Sequence, residues 1–352
     1  METAFFSHLP NHSLPDTAAA YKGSKIHPAV IQAGIMMSSG EIRGANARTM
    51  ATMLAFQQVI EEYQCPEQTV LWKDLPNHLS PMIAWLEDCR PKGVGGGNAI
   101  RWLKGEINRL GEVDMGTDIE QKRHLVGAID DYLTQKIEFA DQIIISHAQE
   151  KIKAGDTIVT YARSSIIEKV LLQAWRRMKE VDSSAEFRVI VVDSRPLNEG
   201  RSTLYTLTNA GIPCTYTLLP LASSVLPNAN LVLVGASALH SDGSLYSRAG
   251  TAVISMLAKE YRVPVVACVE TYKFGERVSL DSVASNEIGE PEQLLQIPGG
   301  KPFQGDFPAT LTPLNLMYDL TPANLITTLC TELGFIPPSS VPTVLGKTAP
   351  VV

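Results

Sequence analysis

The 352-residue sequence predicts an α/β protein: an N-terminal helical domain over residues 1–152, then a Rossmann-like parallel-sheet domain over 153–352. Three observations carry this. Residues 120–152 hold apolar side chains at Val126, Ile129, Leu133, Ile137, Ala140, Ile144 and Ala148, steps of three and four that draw one stripe along a long helix. Past Gly155 the pattern changes to short apolar runs rich in β-branched residues. Those runs are continuous rather than alternating and are separated by helical patterns, as expected of parallel strands covered on both faces.

In chain order, Asn46–Tyr63 (Met50, Met53, Leu54, Val59) and Asn98–Leu110 (Ile100, Leu103, Ile107) read as helices. Cys65-Pro66, Leu75-Pro76 and the glycine cluster Gly93–Gly97 punctuate them, the last as a flexible connection. The domain boundary falls near residues 150–156. Beyond it the predicted strands are Thr157–Tyr161, Phe187–Val192, Cys214–Leu219, Leu231–Val234 and Val263–Val269. Between them lie helices over Ser165–Met178 and over Gly200–Ala210, the second stopped by Gly211. A further helix is capped by Thr251, with Val253, Ile254, Leu257 and Ala258 on its inner face. The proline-rich tail after Pro337 reads as irregular or strand-like.

Composition narrows the function. Hydrophobic residues are 45% and charged residues 19%, enough to build real cores. A net charge of −7 argues against broad binding to nucleic-acid phosphates, while leaving room for a local basic patch. The five cysteines are scattered and never spaced CxxC, so neither a zinc site nor a disulfide framework is expected, and reduced thiols point to the cytosol. The opening METAFFSHLP lacks the pattern of a signal peptide, and no apolar run nears the roughly 20 residues of a membrane span. No metal or cofactor is expected.

Ligands of open parallel sheets bind outside the carboxyl ends of the strands. The residues there are Ala162, Arg163, Ser164 and Ser165; Asp193, Ser194 and Arg195; Gly235, Ala236 and Ser237; and Glu270, Thr271, Tyr272 and Lys273. Helix N-termini at Ser164 and Gly250-Thr251 would add N–H donors. This is anion chemistry without an evident general acid, base or nucleophile. Equally, Arg195 and Glu199 can pair with each other as plain structure. The glycine cluster lacks the GK[ST] of a phosphate loop, and Gly235-Ala236-Ser237 is followed by Leu239 where a nucleophile elbow needs glycine. His240, beside Asp242, reads as a turn histidine.

Several words along the chain resemble one family: Gly40-Glu41-Ile42-Arg43-Gly44-Ala45, Cys89-Arg90-Pro91 with Asn98-Ala99-Ile100-Arg101, Asp193-Ser194-Arg195-Pro196, Val234-Gly235-Ala236, Gly250-Thr251, and Tyr318-Asp319-Leu320-Thr321-Pro322. The family holds the regulatory alpha, beta and delta subunits of eukaryotic translation initiation factor 2B, together with methylthioribose-1-phosphate and ribose-1,5-bisphosphate isomerases. Glu199-Gly200-Arg201 and Glu270-Thr271-Tyr272-Lys273-Phe274 resemble its delta branch.

The resemblance implies a non-catalytic subunit of the guanine-nucleotide exchange factor for initiation factor 2. It implies partnership with beta, alpha, gamma and epsilon subunits, and contact with the alpha subunit of factor 2 and its phosphoserine. The family's isomerases use a cysteine and an aspartate at positions that match Ala162 and Ser237. Their Asn-Lys pair matches Ser247-Arg248, and a glutamine matches Glu199. Arg43, Arg48, Arg101 and Lys104 are candidates for the partner's phosphate, with Arg90 and Lys92 beside them. Leu197, Tyr272 and Phe274 are candidate interface anchors. Arg43, Arg163, Arg195, Ser237 and Arg248 would form a vestigial anion pocket. The competing expectation is a sugar-phosphate isomerase or a sugar-phosphate-binding relic.

Overall fold

A computed structural model describes residue 9 and residues 25–112, 116–278, 281–283, 285–295, 310–311 and 313–348. The chain divides into two compact units, one of His12–Phe139 and one of Ala140–Val352 with Met1–Asn11.

The first unit is helical. Helices α1 (Pro28–Ser38), α2 (Ala45–Glu62), α3 (Leu71–Cys89), α4 (Val94–Arg109) and α5 (Asp118–Leu133) are followed by a π-helical stretch, Thr134–Phe139. Pro28 opens α1, where its missing N–H is no loss, and His27 Nδ1 accepts from Ala29 N at 3.2 Å. Thr117 and Glu120 form a reciprocal capping box at α5. Two predicted breaks lie inside helices instead. Leu75-Pro76 is within α3, which buries Leu71, Leu75, Leu79, Met82, Trp85, Leu86 and Cys89 along one face. That burial outweighs the roughly 3 kcal/mol a helical proline costs. Gly95, Gly96 and Gly97 lie in the first turn of α4 rather than in a flexible link. Gly95 is buried, and Gly96 faces Thr49 of α2 with room for a Cβ.

The second unit is built on a sheet ordered β11-β10-β7-β4-β1-β2-β3 among the described residues. Its strands are β1 (Thr157–Tyr161), β2 (Arg188–Asp193), β3 (Cys214–Leu218), β4 (Leu231–Gly235), β7 (Val265–Cys268), β10 (Thr328–Thr331) and β11 (Gly334–Ile336). All neighbours are parallel except β10 and β11. One face packs Ile158, Val189, Val191, Leu231 and Leu233 against α6 (Ala140–Gln149), α7 (Ser165–Val181) and α8 (Gly200–Asn209). The other packs Val159, Val192, Val232, Val234 and Val265 against α9 (Thr251–Glu260) and Val341 of α10 (Val341–Thr348). The tail is therefore helical rather than strand-like, because Val341 is fully buried in that core.

A small second sheet, β8-β5-β6-β9, stands beside the first: β5 (Ala238–His240), β6 (Leu245–Arg248), β8 (Phe274–Gly275) and β9 (Tyr318–Thr321). His240 is thus a strand residue, with Nδ1 3.1 Å from Arg277 O.

Candidate functional site

A cavity of about 150 Å³ lies at the carboxyl ends of β1 and β2, lined by Ala162, Ser194, Arg195, Leu197, Glu199 and Arg248 among others. Its floor follows from local constraints. After β1 the backbone turns at Ala162, which has φ 52 and donates its N–H to Val192 O at 2.8 Å. Asp193, buried at the end of β2, accepts from Ser194 N at 2.9 Å and from the Tyr216 hydroxyl at 2.9 Å. Gly200 lets α8 start against it: a Cβ there would sit 2.7 Å from Asp193 Cγ. The loop between, 194–199, therefore presents Glu199 to the cavity.

Arg248, at the end of β6, meets Glu199 with both edges aligned: Nε donates to Oε2 at 2.7 Å and Nη2 to Oε1 at 2.8 Å. Their side chains are 15% and 10% exposed. The guanidinium also lies over the Tyr318 ring, which stacks on Tyr246 at 4.8 Å. The other predicted anion element, the N-terminus of α9, is filled as well. Asp319 Oδ2 accepts from Gly250 N at 2.6 Å and Ala252 N at 3.0 Å. Asp319, 69 residues from Gly250 in sequence, takes the capping role assigned to Thr251, whose hydroxyl instead donates to Arg248 O at 2.7 Å. Two carboxylates of the chain thus occupy the positions where a bound anion was expected.

The remaining candidates separate. Arg163 and Ser237 are outside the cavity lining. Arg163 Nε donates to Glu168 Oε1 at 3.3 Å, and Ser237 N donates to Tyr246 O at 2.9 Å. Arg43 belongs to the helical unit, where its Nε donates to Gly40 O at 2.5 Å. In that same unit Arg101 and Lys104 are exposed, Lys92 pairs with Glu87, and Arg90 is buried. Arg48 is also buried, with Nη1 donating to Pro91 O at 3.2 Å, because α2 packs that side inward. Tyr272 and Phe274 are buried within the chain itself, Phe274 in the sheet core, and so offer little surface to a partner.

One cluster escaped the sequence reading. Lys273 Nζ lies 2.6 Å from Glu270 Oε2, with side chains 5% and 0% exposed, and Lys169 Nζ lies 2.5 Å from Asp141 Oδ2. Asp141 also hydrogen-bonds Glu270. Burial, then the contact with Glu270, pushes the Asp141 carboxyl up to about 6 against the pull of Lys169. Glu270 was visible as a strand-end residue; its partners on α6 and α7 were not, since nothing local marks them.

Asp319 is likewise pushed up to about 6 by burial, despite its two N–H donors. In the unfolded chain both aspartates titrate near 3.8. The folded state therefore holds more protons between these values, and stability from these groups falls as pH rises from about 4 to about 6. Each contributes up to about 3 kcal/mol over that range. Asp319→Asn keeps an acceptor for Gly250 and Ala252, so its urea midpoint should match the parent at pH 4 and exceed it at pH 7; equal differences at both pH values would contradict this.

The Initiation factor 2 subunit family profile matches residues 41–338. The chain is 41% identical over 355 residues to "Translation initiation factor eIF2B subunit delta" of Schizosaccharomyces pombe, covering 98% of this chain and 73% of that protein. It is 36% identical to the protein of the same name from Dictyostelium discoideum, over 97% of this chain and 56% of that one. It spans, then, about half the length of the latter relative. "Ribose 1,5-bisphosphate isomerase" of Thermococcus kodakarensis is 27% identical over 88% of this chain and 91% of its own. Among solved structures, a chain of the tetrameric eIF2B-beta2-delta2 complex from Chaetomium thermophilum superposes with a TM-score of 0.80 at 34% identity, covering 93% of this chain and 97% of that one. The chain belongs to the Initiation factor 2 subunit family and, within it, is similar to eIF2B delta subunits.

Proposed function

We propose that this chain is a non-catalytic regulatory subunit of an eIF2B-type guanine-nucleotide exchange factor. It assembles with beta and alpha subunits, carries gamma and epsilon, and helps sense phosphorylation of the alpha subunit of factor 2 in the cytosol. The observation that carries the reading is the 41% identity to an eIF2B delta subunit along 98% of the chain. The cavity supports it. By the resemblance, Ala162 in its lining and Ser237 outside it match the isomerases' acid–base pair, each such group being worth about 10² to 10⁴ in rate. Glu199 also neutralises Arg248. Residues 1–152 and 153–352 are proposed as its two functional domains, the first meeting factor 2. The isomerase reading draws on the 27% identity to an archaeal isomerase, but lacks a proton shuttle.

Sensing a phosphate is a difference in binding free energy between two forms of one partner. The added group brings about −1.5 to −2 charges and favours arginine donors. With Arg48 buried, the contact falls to the exposed Arg43, Arg101 and Lys104. Arg43→Ala with Arg101→Ala, in the assembled complex, should reduce the ratio of phosphorylated to unphosphorylated factor 2 affinities about tenfold by surface plasmon resonance, as expected for loss of a charged hydrogen bond. An unchanged ratio removes these residues from the sensor.

A further inference from the structure

Two of the cysteines face each other across neighbouring strands. Cys268, the last residue of β7, is in register with Cys330 of β10, and beside them the Val269 N–H donates to Cys330 O at 3.0 Å. Both side chains are fully buried on one face of the sheet, in the core that these strands share with α6 and α7. Adjacent strands run about 4.8 Å apart, inside the roughly 4.4–6.8 Å between Cα atoms that a disulfide spans. The thiols already touch: Cys268 donates a hydrogen bond to Cys330, whose own Sγ lies 3.7 Å from Ile144 O of α6. Among the described residues no third His, Cys, Asp or Glu joins them in a group able to hold a metal ion, so they are not half of a zinc site. Just beyond the pair the strand ends are clasped as well, since Thr271 N donates to both Glu332 carboxylate oxygens at 3.1 Å.

The closed core protects this pair. The hydrogen bond to Cys330, then burial, pushes the Cys268 thiol well above its usual value, so little thiolate forms there. Reaction therefore waits for a local opening, and α6, whose Ile144 carbonyl lies over Cys330, is the element that uncovers it. We infer that Cys268 and Cys330 form a modification site for two-electron oxidants, which join β7 to β10 by a disulfide when the core opens locally. With hydrogen peroxide, the uncovered Cys330 sulfur attacks one peroxide oxygen, giving a sulfenic acid and one water. The Cys268 sulfur then displaces the hydroxyl, giving the S–S bond and a second water. Both thiol hydrogens leave in the waters, and two electrons pass to the peroxide. The site goes beyond the function proposed above and does not depend on which complex the chain joins.

The test uses the purified full chain carrying Cys65→Ser and Cys214→Ser, because those two thiols are partly exposed and would react first. After hydrogen peroxide treatment and alkylation of the remaining thiols, peptide mass spectrometry should find Cys268 linked to Cys330, with the link released by dithiothreitol. The link should form on the order of tenfold faster in urea just below the unfolding transition, where local opening is more frequent. The linked chain should melt about 5–10 °C higher, since the bond closes a long loop, and should lose that gain on reduction. Cys330→Val, or Cys268→Ala should that variant not fold, removes both the link and the gain. Thiols that stay open to alkylation through peroxide and urea would overturn the site. Cys330 carried to its sulfinic acid beside a free Cys268 would overturn the pairing.

Discussion

Replacing Lys273 with alanine should destabilise the sheet unit by about 3–5 kcal/mol, the usual consequence of stranding one partner of a buried ion pair. Glu270 is wholly buried at the end of β7, and Lys273 is the cation nearest its Oε2. The contact is close in distance but not aligned as a hydrogen bond, so its contribution is chiefly charge compensation. Without it Glu270 must either stay ionised in a low-dielectric site or take up a proton, and its neighbour Asp141 already resists ionisation. For a unit of this size each kcal/mol shifts the melting temperature by about 2–4 °C, so a drop near 10 °C is expected. Pairing Lys273→Met with Glu270→Gln should recover much of the loss, because no uncompensated charge then remains. A single-variant loss below about 1 kcal/mol would mean that the quartet of Asp141, Lys169, Glu270 and Lys273 is better solvated than its burial implies.

The second large effect is expected at Gly250. Its φ is +113, outside the range that residues with a side chain adopt readily, and a Cβ there would stand 2.1 Å from the Tyr161 hydroxyl and 2.5 Å from its ring. Tyr161 cannot simply move aside: its hydroxyl donates to Ala249 O and accepts from the Ser194 hydroxyl, tying the end of β1 to the cavity loop and to the start of α9. Gly250→Ala combines backbone strain of about 1–3 kcal/mol with overpacking of about 1–3 kcal/mol, so a loss of about 3 kcal/mol or more is expected in urea unfolding. A loss within 1 kcal/mol would show that the Tyr161 ring has room the structure does not give it.

The sheet was legible in the sequence because its strands are buried on both faces. Continuous runs such as Val189–Val192 and Leu231–Val234 admit no competing helical periodicity, and the five expected strands begin and end within two residues of the observed ones; β10, β11 and the small sheet, built from shorter and less apolar runs, were not expected. The helical unit was less legible. Pro76 and Pro81 mark breaks by propensity alone, yet the apolar face of α3 overrides them, and α1 carries apolar residues all round, so no stripe announced it. In the candidate site the strand-end residues were correctly placed at the sheet edge; their partners were not. Glu199 and Arg248 are 49 residues apart, and Asp319 and Gly250 are 69 apart. Such pairings depend on topology, which residue spacing cannot express. The one hint was chemical: a carboxylate at position 199, where the resemblance to the isomerases implies a neutral amide.

The proposed function requires that the strand-end cleft, occupied by the chain's own Glu199 and Asp319, no longer handles protons. Incubating the purified chain, alone and in its assembled complex, with ribose 1,5-bisphosphate and with methylthioribose 1-phosphate, and following the sugar carbons by NMR, separates a regulatory subunit from an isomerase. No interconversion above the uncatalysed background is expected in either state. Turnover that survives in Arg248→Met would implicate a contaminant, whereas turnover abolished by that substitution would make this chain an isomerase.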